Sequence, residues 1–245
     1  AVLRVERLNR HTFWCGQSGS GKTYALGVVL EQVLLHTALP LLILDPNSDF
    51  VHLGAGRDGA PADVARAWAE RDIRVLRPGV DADRLAVRFI DMDIRSRAAV
   101  LQLDPVLDAE EFNAMLRVGS DLIDGLDGPL VDWLRRRDDP MYHRIAMRVE
   151  NLGIVDWDLW AWGDPDVTDV VNARADATVV DLGGFDVAAQ LQTVALAVLD
   201  QLWSQRHQRV GRLVVIDEAH NLASPEADTP LGRALTQRIV QIAAE

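Results

Sequence analysis

Gly16-Gln17-Ser18-Gly19-Ser20-Gly21-Lys22-Thr23 is the stretch whose reading decides the fold. It fits G-x-x-x-x-G-K-[ST] at every position. Small residues let a backbone close around a phosphate, and the backbone N–H groups of such a loop and of the following helix terminus bind anions. Lys22 is the chain's only lysine; the other basic positions all carry arginine. A lysine kept at this one place fits a compact ammonium reaching nucleotide β- and γ-phosphates, a task that a planar guanidinium does differently. The flanks suit the motif. Thr12–Cys15 is short, apolar and β-prone, and reads as a buried strand, with Cys15 packed as a small apolar residue at its end. Lys22–Leu35 is rich in Ala, Leu and Val and reads as a helix. Strand, glycine-rich loop and helix are the context that the motif requires.

Working outward, Arg212-Leu213-Val214-Val215-Ile216-Asp217-Glu218-Ala219-His220 is an apolar run that ends in two acids. A short run of this kind reads as a buried parallel strand. An acid at its carboxyl end, Asp217, can hold Mg²⁺ beside the Thr23 hydroxyl, and Glu218 can polarise or deprotonate an attacking water. The bland alternative is that the pair caps the next helix. Leu41-Leu42-Ile43-Leu44-Asp45-Pro46-Asn47-Ser48-Asp49-Phe50 is a second strand with acids behind it. Asp45 or Asp49 could orient water or the metal shell, but Asp-Pro-Asn-Ser is also strong turn chemistry, and both readings stand.

Strands are expected at Thr12–Cys15, Leu41–Asp45, Ile73–Leu76, Thr178–Leu182 and Leu213–Asp217, with helices at Lys22–Leu35, Pro61–Arg71, Asp186–His207 and Pro230–Ala244. Alternation of this kind implies an α/β fold with a mainly parallel sheet and helices on both faces. Ligands of such sheets sit beyond the carboxyl ends of the strands, where the loop, Asp45 and the Asp217–Glu218 pair all fall. Between about residues 85 and 175 the pattern turns helical, with helices expected at Asp108–Ile123, Gly128–Arg137 and Met141–Leu152 and a capping box at Asp108 and Glu111. Arg135-Arg136-Arg137 is followed by aspartates and reads as a solvated face. Trp157, Trp160 and Trp162 read first as packing, with a stacking surface as the alternative.

Composition sets bounds. A chain of 245 residues that is 49% hydrophobic can bury a sizeable core. No apolar stretch is clean enough to span a membrane, no secretory signal is seen, and a single cysteine forms no internal disulfide. Those features fit a reducing, cytoplasmic setting. The net charge of −12 argues against broad nonspecific nucleic-acid binding, though a few basic loops can grip DNA against an acidic background.

The blocks GQSGSGKT at 16–23, LLILDPNSDF at 41–50 and LVVIDEAHNLA at 213–223 together resemble the HerA/FtsK superfamily of ring-forming ATPases, most closely its HerA-like branch. The resemblance implies a RecA-like P-loop NTPase core. The first part would cover residues 1–84, a helical insertion 85–175, and a second, C-terminally incomplete part 176–245. It implies a homo-hexamer that couples ATP hydrolysis, with Mg²⁺, to translocation on double-stranded DNA beside a nuclease or other effector. Gly16, Gln17, Ser18, Gly19, Ser20, Gly21 and Lys22 would bind phosphates, Thr23 and Asp217 the metal, and Glu218 would be the catalytic acid with Lys22. The branch usually carries a β-barrel before the motor and a sensor strand after the acidic strand, neither of which is recognisable here. A conjugation- or secretion-type motor and a nucleotide-gated scaffold controlling an effector are the alternatives.

Overall fold

The computed structural model describes residues 11–17, 19–80, 83–121, 128–162 and 165–245. Its centre is a four-stranded, all-parallel sheet in the order β2-β3-β1-β4, built from β1 (Leu41–Asp45), β2 (Ile73–Leu76), β3 (Ala177–Asp181) and β4 (Leu213–Ile216). The two central strands are buried along their whole length, which is why their sequences are continuous apolar runs rather than alternating ones.

Successive side chains of a strand face opposite sides, and each side has its own cover. Leu41, Ile43, Ala177 and Val179 pack with Leu30, Val33 and Leu34 of α1 (Lys22–His36) and with Trp68 of α2 (Ala62–Ala69). Leu42, Leu44, Val180 and Leu76 join the larger core on the other side. The helices there are α3 (Ile94–Val100), α4 (Ala109–Asp121), α5 (Leu130–Arg135), α6 (Pro140–Asn151), α7 (Val167–Asn172), α8 (Ala188–Gln205) and α9 (Pro230–Ala243). The sheet is therefore covered on both faces, as the apolar runs imply. Among the described residues between β2 and β3 the regular elements are the helices α3 to α7, joined by turns and irregular segments, and many of their apolar side chains run into the same core as α8.

Two expectations need correction. Thr12–Cys15 forms no strand; the segment is exposed, with Phe13 at 89% and Cys15 a free, exposed thiol. A strand exists only when a neighbour takes its N–H and C=O groups. The candidate edge is β4, whose residues are all half-buried, and among the described residues no strand lies on its outer side. Apolar character alone therefore did not make this segment a strand. The second correction concerns caps. The Asp108 carboxylate accepts from the Asp104 N–H at 2.9 Å and from Arg148 Nη2 at 2.6 Å. Among the described residues a complete capping box is formed by Asp166 and Asp169 at the start of α7.

The tryptophans behave as packing residues for the most part. Trp160 is buried, stacks on Trp157 at 5.8 Å and donates its indole N–H to the Ile154 carbonyl at 2.7 Å, while Trp162 stays part-exposed. Arg135 pairs with Glu150 and Arg137 lies over the Trp133 ring, on an exposed face. No helix of the described residues is long and apolar enough to cross a membrane.

Candidate nucleotide-binding site

The glycine-rich loop ends where α1 begins. Gly21 is the residue before the helix, in the left-handed region at φ 82°, and Gly19 is left-handed as well at φ 75°, a conformation that glycine adopts without strain. At Gly16 a β-carbon would stand 2.8 Å from Ser20 Oγ and 2.9 Å from Lys22 Cγ, so the loop closes more tightly than an alanine allows. The Ser20 N–H donates to the Gln17 carbonyl at 3.1 Å. The first N–H with a helical acceptor is that of Ala25, which bonds to the Gly21 carbonyl. The N–H groups of Lys22, Thr23 and Tyr24 precede it, and glycine offers no capping side chain. An anion is the natural partner for such an end. Ser18 lies outside the described residues.

Across from the loop stand the acids of two neighbouring strands. Asp45 is the last residue of β1 and Asp217 follows β4, its N–H donating to the Leu44 carbonyl at 3.2 Å. Lys22 Nζ reaches Glu218 Oε1 at 3.0 Å, joining positions 196 residues apart in sequence, with side chains 26% and 22% exposed. His220 Nδ1 lies 3.3 Å from the other carboxylate oxygen, Oε2. Glu218 itself is left-handed at φ 41° and ψ 50°, a strained conformation for a side-chain-bearing residue and one that occurs preferentially at functional sites. Its N–H donates to Asp217 Oδ1 at 2.9 Å. Neither acid caps the short helical turn that follows, so the capping alternative is not what is seen.

Asp217 Oδ2 is buried and bonded to nothing among the described residues. Burial pushes this carboxyl above its ordinary range; the Glu218 and Asp49 charges add to the effect, and the Glu218 N–H and Lys22 offset part of it. One carboxylate oxygen from each of Asp45, Asp49 and Asp217 lies within 4.8 Å of the others. Asp45 is fully buried and raised by that burial, with backbone N–H groups of Phe50, Asp49 and Asn47 holding it down and Asp181 pushing the same way as burial. Its two oxygens accept from Asp49 N–H at 3.0 Å and Phe50 N–H at 2.7 Å, so Asp45 makes the turn that the sequence Asp-Pro-Asn-Ser suggests. Asp49, carried on that turn, is the more accessible of the two. A carboxyl with a buried, unpaired oxygen, grouped with two further acids, suits a hard divalent cation such as Mg²⁺.

A separate cavity of about 230 Å³ lies among Asp91, Asp93, Asp200, Trp203 and Arg238 and contains none of these residues. Its charges are partly matched internally: Asp200 accepts from Arg238 Nε at 2.6 Å and from Ser96 Oγ at 2.5 Å.

A glycine-rich loop at a helix terminus, opposite an Asp-Glu pair at the carboxyl edge of a parallel sheet, defines a P-loop NTPase. The chain belongs to the family described as "Helicase HerA, central domain", whose match covers residues 1–125, and so to a family of P-loop ATPases. That match includes the loop and the Asp45–Phe50 turn; the Asp217–Glu218 strand lies beyond it. Among solved structures the fold is similar to VirB4 of Thermoanaerobacter pseudethanolicus, with a TM-score of 0.55 and 16% identity over 93% of this chain. This chain spans 66% of that one. No curated protein sequence matches.

Asp181 and Ser48 were missed by sequence reading. The signal was present in part: Asp181 is an acid within an expected strand end, as Asp45 and Asp217 are. Its register beside Asp45 is a property of the folded sheet.

Proposed function

We propose that this protein is an ATP-hydrolysing ring motor of the HerA-like type, coupling hydrolysis to translocation on double-stranded DNA beside a nuclease or other effector. The observation that carries the catalytic half is the Lys22–Glu218 contact at 3.0 Å, which puts the loop's cation and the acid pair in one site. The motor half rests on family membership. The core is read as residues 1–84 and 176–245 around a helical insertion at 85–175.

In this reading the N–H groups at the start of α1 and Lys22 Nζ hold the β- and γ-phosphates of ATP. Lys22 leaves Glu218 to do so, and Glu218 Oε1 is then free to accept a proton from a water aligned with the γ-phosphorus. Asp217 Oδ2 and the Thr23 hydroxyl would hold Mg²⁺, which supplies charge neutralisation for the phosphates. Asp49 faces the same space from the β1 turn. The bond broken joins the γ-phosphorus to the bridging oxygen of ADP. A neighbouring subunit of a homo-hexamer would supply the arginine that completes such sites.

The net charge of −12 favours one other reading, a nucleotide-gated scaffold in which an attached partner does the chemistry. Phosphate release by the full-length protein, by Lys22→Ala and by Glu218→Gln tests the catalytic assignment. Both variants are expected to lose turnover, and wild-type rates in either would overturn it.

A further inference from the structure

Asp45 and Asp181 are paired in register on the adjacent strands β1 and β3, and both side chains are essentially fully buried. Two neighbouring buried carboxylates are costly unless their oxygens are all engaged. Here the engagements converge on one short turn. Asp45 accepts from the N–H groups of Asp49 and Phe50 at 3.0 and 2.7 Å. Asp181 Oδ1 accepts from Ser48 Oγ at 2.7 Å, and its Oδ2 accepts from Arg77 Nε at 3.2 Å. Ser48 is left-handed at φ 61°, an unfavourable state for serine that the hydroxyl bond to Asp181 helps to hold. Gly183 closes the turn from the other side. A β-carbon there would stand 2.5 Å from Ser48 Oγ and 2.8 Å from the Pro46 carbonyl oxygen. Its N–H, with that of Leu182, donates to the Asp45 carbonyl.

A connecting turn needs no such arrangement to link a strand to the next segment. What the lock achieves is the placement of Asp49, whose carboxylate lies within 4.8 Å of that of Asp217. We propose that Asp181, acting through the Ser48 hydroxyl, is a positioning residue for ATP hydrolysis: it locks the turn after β1 so that the Asp49 carboxylate is held beside that of Asp217 and orients water or the cation's hydration shell there. The proposal rests on the reading of Asp217 and Glu218 as the hydrolytic acids. Arg77 neutralises Asp181 from the end of β2, so the lock ties β2, β3 and β1 to the nucleotide site.

The test is a mutant cycle on the full-length protein. Ser48→Gly removes the CH2OH side chain, and with it the hydroxyl bond to Asp181, and leaves φ 61° without strain. Turnover is expected to fall roughly five- to tenfold, with Mg²⁺–ADP affinity unchanged, because the loss is of orientation rather than of binding. In an Asp49→Asn background Ser48→Gly should add nothing further. Gly183→Ala, which presses on the same turn from outside the site, should reproduce the split between turnover and affinity. If Asp49→Asn is impaired while Ser48→Gly and Gly183→Ala turn over at the wild-type rate, the positioning role is wrong and the role of Asp49 stands. If Asp49→Asn itself turns over normally while Glu218→Gln does not, Asp49 has no part in hydrolysis and the proposal falls with it. Independent, multiplicative effects of Ser48→Gly and Asp49→Asn would also overturn it.

Discussion

Glu218→Gln should bind nucleotide more tightly than wild type while hydrolysing it far more slowly. In the resting site Lys22 is not free: its ammonium lies 3.0 Å from Glu218, and a phosphate must displace that contact before it can use the lysine. With side chains 26% and 22% exposed, the pair is partly screened, and its worth falls near the top of the range for solvent-accessible pairs, about 1 kcal/mol. Relieving a competitor of that size tightens binding by about fivefold. Turnover should fall by about 10²- to 10⁴-fold, the usual contribution of a positioned general base. The assay is titration calorimetry with a non-hydrolysable ATP analogue, run on wild type, Glu218→Gln, Lys22→Gln and the double variant. Charge removal near a triphosphate also favours binding, so the cycle is what isolates the contact. The gain from Glu218→Gln should shrink in the Lys22→Gln background and also with added salt. Equal or weaker binding by Glu218→Gln, or a gain undiminished without Lys22, would refute the idea that the two side chains compete with phosphate.

Other predictions follow from the same geometry. Asp217→Asn should abolish the Mg²⁺ enhancement of ADP binding while leaving metal-free ADP binding in place, as read by titration with and without chelator. Ile43→Ala, at a fully buried position in the centre of the sheet, should cost between about 2 and 5 kcal/mol, seen as a lower urea midpoint at constant m-value. Burial pushes the Asp200 carboxyl up, with the Ser96 hydroxyl and Arg238 opposing. A raised carboxyl binds its proton more tightly folded than unfolded, so its penalty is present above the folded pKa and is relieved as pH falls through it. Wild type should therefore gain stability relative to Asp200→Asn as the pH is lowered, measured by urea denaturation across a pH series.

Much of the fold was legible because the strands of a parallel sheet buried on both faces are unbroken apolar runs. Leu41–Asp45 and Ile73–Leu76 have the bounds that the sequence suggests, β3 begins and ends one residue earlier than expected, and β4 ends one residue earlier. The helices α1, α8 and α9 were legible from length and composition, and the loop from a motif whose glycines answer to real backbone needs at Gly16, Gly19 and Gly21. Thr12–Cys15 misled because β-propensity reports only how a segment would fit a sheet, not whether a neighbour is there to pair with. The short helices α3 and α7 are held by packing and by their Asp93 and Asp166 caps, with too few residues for a periodic signal. The role of Asp181 was hidden because it depends on register. Nothing local to Asp181 says that Asp45 lies beside it or that Ser48, 133 residues away, donates to it. Asp45 and Asp49 were equivalent candidates on paper. The fold separates them, since Asp45 is enclosed by its own turn and Asp49 is carried toward Asp217.

The most direct test of the central claim is ATP hydrolysis by the full-length protein with and without long double-stranded DNA, beside Glu218→Gln as the blank. The account predicts strong stimulation by DNA that disappears in Glu218→Gln. Hydrolysis that depends on Glu218 but is indifferent to DNA would contradict the DNA-motor reading and leave the nucleotide-gated scaffold in its place.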